Sequence, residues 1–178
     1  MKKILNTSVI SLYVFICFNL PLSHSQTIEV KKFTLEKGID IEIVEKGFDD
    51  KKFVVERCMQ EKFSYVCKIN GHVPFGIDGN LPKTFIESIT LTVNQKIYQL
   101  NSEDMYDAWG NRPANIKGFN YLAVYCRNDE NCTLRGEFSD GAGSFVAEWL
   151  IRSGISTRSI LTNSEDIFPD FTHRNMAD

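Results

Sequence analysis

Cys126 and Cys132 flank Arg127-Asn128-Asp129-Glu130-Asn131, a stretch rich in turn formers. Setting the two cysteines face to face makes Asn128-Asp129-Glu130 a hairpin loop and fixes a register. Val124 then falls opposite Leu134 and Leu122 opposite Gly136 on the cysteine side, while Tyr125 meets Thr133 and Tyr121 meets Glu137 on the other. Side chains alternate along a strand, so a slip of one residue would lose the staple and the apolar face together. Cys58 and Cys67 repeat the arrangement around Lys62-Phe63, less cleanly, because Glu56 then opposes Ile69. Apart from Cys17 in the N-terminal apolar run, the chain has four cysteines, which permit three connectivities; the spacing favours Cys58–Cys67 and Cys126–Cys132. Neither pair has the close spacing of zinc ligands, and the chain has no Cys-x-x-Cys redox motif.

Strand signals fill the rest. Ile39, Ile41 and Ile43 alternate with Asp40 and Glu42, and Ile89, Leu91 and Val93 alternate with Ser88, Thr90 and Thr92. Asn94-Gln95 permits a tight turn into Lys96 to Leu100, which sets Leu91 opposite Tyr98 and Ile89 opposite Leu100. Lys51 to Cys58, Phe63 to Ile69, Phe119 to Cys126, Cys132 to Phe138, Phe145 to Arg152 and Ile155 to Leu161 read as further strands, the last two joined by a Ser153-Gly154 turn. About eight or nine short strands predict an all-β antiparallel barrel or sandwich stapled by two hairpin disulfides. Helix is confined to Ser102 to Trp109 and one turn from Asn163 to Phe168. Thr27 to Lys37 and the Asp170 to Asp178 tail are expected to be the loosest parts.

Residues 1–25 read as a signal peptide. Lys2 and Lys3 precede an apolar run from Ile4 to Leu22, and Ser23-His24-Ser25 supplies small residues before a cleavage point at Gln26. Residues 26–178 would then form one exported domain, large enough for a real core. Cleavage removes two lysines and no acid, leaving 18 basic against 23 acidic side chains and a formal charge of −5. Such a domain lacks the electrostatic footprint for nucleic acid or anionic lipid. No later run is long enough for stable membrane insertion. The short Lys-Lys start points to a bacterial periplasm, with free secretion second.

Two loops carry the candidate binding residues. The segment from Asn101 to Pro113 gathers Asp104, Tyr106, Trp109 and Arg112, the residue types of an interaction surface. The competing reading makes Met105 and Trp109 a plug in the core. Ser139 to Ser144 contributes Asp140, Gly141 and Ser144 in a glycine-bearing connection whose backbone N–H groups could face an anion. Within the final hairpin, Trp149 falls opposite Arg158, and Glu148 reads as a solvated strand position beside Ser159.

Catalytic patterns are weak. Only His72 and His173 remain after cleavage, and no Gly-x-Ser-x-Gly elbow occurs. A hydrolase would need a pocket joining His72 to Ser144. Asp104, Asp107, Asp140 and Asp166 lack EF-hand spacing. No cofactor or metal is expected. The residues point to a non-enzymatic module that binds another protein, of inhibitor or immunity type. A carrier holding a small ligand inside a β-barrel is the alternative, and an enclosed cavity beneath Trp109 would mark it.

Overall fold

The computed structural model describes residues 27–110, 121–168 and Phe171. The expected signal peptide, Arg112, the start of the Phe119 strand, and the Asp170 to Asp178 tail apart from Phe171 lie outside the described residues.

Ten strands follow in order: β1 (Ile28–Glu36), β2 (Ile39–Gly47), β3 (Val55–Gln60), β4 (Phe63–Ile69), β5 (Thr84–Val93), β6 (Lys96–Leu100), β7 (Leu122–Asn128), β8 (Asn131–Phe138), β9 (Phe145–Arg152) and β10 (Ile155–Thr162). They form two four-stranded antiparallel sheets, β1-β2-β5-β6 and β10-β9-β8-β7, and a separate β3–β4 hairpin. No ladder among the described residues joins the two large sheets, so the fold is a sandwich rather than a closed barrel.

Period-two alternation builds the core. Ile39, Ile41, Ile43, Ile89 and Leu91 from one sheet meet Leu134, Phe138, Ala147, Trp149 and Ile151 from the other, all buried. Each large apolar side chain removed from water stabilises the fold by about 1.5–3 kcal/mol. Phe138 stacks on Phe145 at 5.2 Å between ring centres and meets Trp149 edge-on at 6.2 Å. A smaller cluster of Val66, Ile69 and Tyr106, flanked by Phe48, Phe53 and Phe85, seats the β3–β4 hairpin.

Three hairpins carry the expected registers. Leu91 pairs with Tyr98, Val124 with Leu134, and Trp149 with Arg158. Asn94, Gln95, Ser153 and Gly154 all have positive φ, the backbone of tight two-residue turns that follow strand twist. Cys126 pairs with Cys132, although Arg127 bulges out and the loop shortens to Asp129-Glu130. Both expected disulfides are present, Cys58–Cys67 and Cys126–Cys132. Bonds of this kind belong to an oxidising, non-cytoplasmic compartment.

Several expectations are corrected. Thr27 to Lys37 is not loose: Ile28–Glu36 is an edge strand paired with β2 along its length. The Lys51 start of the third strand is a 3-10 turn, Asp50–Lys52, and the strand begins at Val55. Around the first disulfide, Cys67 itself is the bulged residue, so Cys58 pairs with Tyr65. This slip sets Val55 opposite Ile69 and removes Glu56 from that position. Ser102 to Trp109 forms no helix. Met105 and Tyr106 are drawn into bridges with Phe75 and Phe85, and Asp104 and Asp107 take positive φ on either side of them. Tertiary backbone bonds there outweigh a short local helix, which is marginal in isolation.

Candidate functional site

Three loops meet at one end of the sandwich: residues 74–83, 101–110 and 139–144. Backbone bonds knit them together. Tyr106 N–H donates to the Phe75 carbonyl at 2.8 Å, Phe75 N–H to the Asp104 carbonyl at 2.9 Å, and Ser139 N–H to the Ala108 carbonyl. The Ser139 hydroxyl, itself buried, reaches the Gly76 carbonyl at 3.2 Å. Gly76 is required at this junction: at φ +103 a Cβ would stand 1.7 Å from the Tyr106 carbonyl oxygen. Trp149 Nε1 donates to the Asn101 carbonyl at 2.8 Å, fixing the base of the middle loop to the second sheet.

The junction leaves an open cleft of about 680 Å³. Its acidic lining is Glu29, Glu45, Asp78, Asp107 and Asp140; its cations are Lys31 and Lys83. Trp109, Thr84 and the glycine-bearing Gly141–Gly143 turn complete its main walls. Lys31 and Glu45 reach it because both continue the inward phase of their strands, Lys31 with Phe33 and Leu35, Glu45 with Ile39, Ile41 and Ile43. Both are more than nine-tenths buried. Lys31 Nζ stands 4.3 Å over the Trp109 ring and 3.4 Å from Glu29 Oε1. Placing a cation between an aromatic face and a carboxylate compensates part of its desolvation.

Glu45, Thr84 and Asp107 form a connected set on one wall. Thr84 Oγ1 is 2.5 Å from Glu45 Oε1 and 3.2 Å from Asp107 Oδ1. The same Asp107 oxygen accepts the Lys83 and Thr84 backbone N–H groups, each at 2.8 Å. Burial pushes the Glu45 carboxyl above its ordinary value of 4.5, against the lowering pull of the Thr84 hydrogen bond and the Lys31 charge; Glu29 and Asp107 raise it further.

Of the residues expected to bind, Trp109, Asp140 and Gly141 line this cleft. Asp104 turns elsewhere, to His72 Nδ1 at 3.1 Å and Arg158 Nη2 at 4.0 Å. Tyr106 is buried in the smaller core, and burial together with the Asp104 charge pushes its hydroxyl up to about 12. Ser144 follows the cleft turn without lining it, and its N–H donates to the Gly141 carbonyl at 3.2 Å. Neither His72 nor Ser144 borders the cleft. Trp109 is 5% exposed, wedged between Phe33 and Phe138 at 5.9 and 6.2 Å. Arg158, opposite Trp149, donates from its guanidinium to the Glu103 carbonyl. Glu148 is not solvated: it is buried between Arg135 and Ser159, each at 2.7 Å.

Sequence reasoning missed Lys31, Glu45 and Thr84. The available signal was a charge standing on the apolar phase of an alternating strand. No group of acidic, histidine or cysteine side chains among the described residues has metal-binding geometry. Comparison with protein-family models, curated proteins and solved structures gives no match for this chain.

Proposed function

We propose that the protein is an exported binding module, periplasmic in a bacterium, that holds a basic segment of another protein in the cleft at the sandwich end. The cleft's charge carries the reading: Glu29, Glu45, Asp78, Asp107 and Asp140 stand against Lys31 and Lys83. Three loops locked together by backbone bonds supply a rigid rim, and a pre-organised rim loses little entropy on binding. The Lys31 ammonium over Trp109 is an internal example of the chemistry a lysine or arginine of the partner would meet. Occupation of such a site on an enzyme's surface would make the module an inhibitor.

The alternative of a ligand carrier has less to draw on. The space between the sheets is taken by Trp149, Phe138 and Phe145, so a small ligand would have to use the open cleft.

The test compares the mature chain with a Glu29→Gln/Asp78→Asn variant in capture from envelope and medium fractions at low and high salt. Both substituted residues are exposed, so the fold should tolerate them. A basic protein retained at low salt, released by salt and lost with the variant supports the reading. A partner that ignores both salt and variant defeats it.

A further inference from the structure

We propose that Glu45, Thr84 and Asp107 form a pH-sensitive latch that ties the loop carrying Trp109 to the ends of the two inner strands of the first sheet, β2 and β5. A threonine hydroxyl owns one hydrogen. Here it lies within bonding distance of two carboxylates, at 2.5 Å from Glu45 Oε1 and 3.2 Å from Asp107 Oδ1. With both carboxylates ionised, one of those contacts has no hydrogen and sets oxygen against oxygen. With one proton on Glu45 the chain is complete: Glu45 donates to Thr84, and Thr84 donates to Asp107.

The proton belongs on Glu45. Asp107 Oδ1 already accepts the Lys83 and Thr84 backbone N–H groups and serves the chain as its terminal acceptor. Glu45 is 4% exposed and has a directly opposed carboxylate neighbour, since Glu29 pairs with it across β1 and β2. The other charged groups around the cleft are Lys31 on β1, which opposes the proton, and Asp78, Lys83 and Asp140 on the facing loops. Asp107 also donates its own N–H to the Thr84 carbonyl at 3.2 Å, so the latch holds side chain and backbone of the loop at once.

The direction with pH follows from the raised carboxyl. The folded state holds the Glu45 proton more tightly than the unfolded chain does. The resulting stability is complete below pH 4.5 and is lost as pH rises from there through the folded value. The loop is therefore closed on the acidic side and loosened above it. Any effect on partner affinity rests on the cleft being the binding site; the latch does not.

Carbon-detected NMR titration of the Glu45 carboxyl decides the matter without a partner. The Glu45 inflection should lie above pH 4.5, and the Lys83 and Thr84 amide shifts should follow it. Protection of the Asp107 amide, corrected for intrinsic exchange, should fall about threefold to tenfold across the same range. Glu45→Gln should abolish the inflection at both amides, because its amide group donates to Thr84 at every pH. Should that variant fail to fold, Thr84→Val removes only the bridging hydroxyl, and the amides at 83 and 84 should stop following Glu45. An inflection at or below 4.5, or amides that do not follow Glu45 in the wild type, overturns the latch. So does amide behaviour left unchanged in a folded variant.

Discussion

The Arg135 guanidinium and the Glu148 carboxylate meet at 2.7 Å across the β8–β9 ladder, on the face of the second sheet turned away from its partner sheet. Ser159 completes the carboxylate's bonding, and the Phe171 ring lies 5.1 Å from the guanidinium. A strand position that would ordinarily face water is thus closed over. Glu148→Ala leaves Arg135 without its carboxylate and should cost about 1–3 kcal/mol, reduced from a fully buried pair by the partial exposure of Arg135. Glu148→Gln keeps the Ser159 bond and should cost less. Urea unfolding of both variants, with an Arg135→Ala double-mutant cycle, measures the difference.

The two disulfides close short loops, and each should contribute about 2–3 kcal/mol in the chain-entropy treatment. Their surroundings differ. Cys132 is 1% exposed and belongs to the main core, whereas Cys58 lies in the outlying hairpin. Cys126→Ala/Cys132→Ala should therefore lower the melting temperature more than Cys58→Ala/Cys67→Ala. Mass mapping of the native chain should recover only the two local links; a Cys58–Cys126 peptide would break this account.

Two glycines with positive φ separate backbone strain from crowding. Gly141 has φ +54 with nothing within 4 Å of its missing Cβ, so Gly141→Ala should cost only about 1–2 kcal/mol, the left-handed penalty. At Gly76 the added methyl collides with the Tyr106 carbonyl that anchors the loop junction. Gly76→Ala should exceed about 4 kcal/mol and give little folded protein. Parallel thermal melts check the contrast.

What was legible in the sequence was local. The β5–β6, β7–β8 and β9–β10 registers follow from period-two alternation across short turns, where loop closure is inexpensive and each strand specifies its neighbour. The Cys58–Cys67 hairpin was half legible, because a bulge at Cys67 is set by the demand that Ile69 reach the smaller core. The site was less legible. Trp109, Asp140 and Gly141 stand out by residue type, but Glu45 and Thr84 are 39 positions apart and meet only once β2 and β5 are paired. The expected helix at Ser102 failed for the same reason: the backbone bonds that hold 105 and 106 come from Ile86 and Phe75, distant in sequence.

Trp109 closes the sandwich end as a plug. Its ring touches the inner side of β1 through Phe33 and the end of β8 through Phe138, and it covers the Lys31 ammonium. Trp109→Ala removes all three contacts at a site 5% exposed and should destabilise the fold by about 3–5 kcal/mol. Trp109→Phe keeps an aromatic face toward Lys31 and should recover a large part of that loss. Urea unfolding of the two variants tests this directly. A loss below about 1 kcal/mol for Trp109→Ala would return the residue to the role of an exposed anchor, whose removal costs binding and not stability.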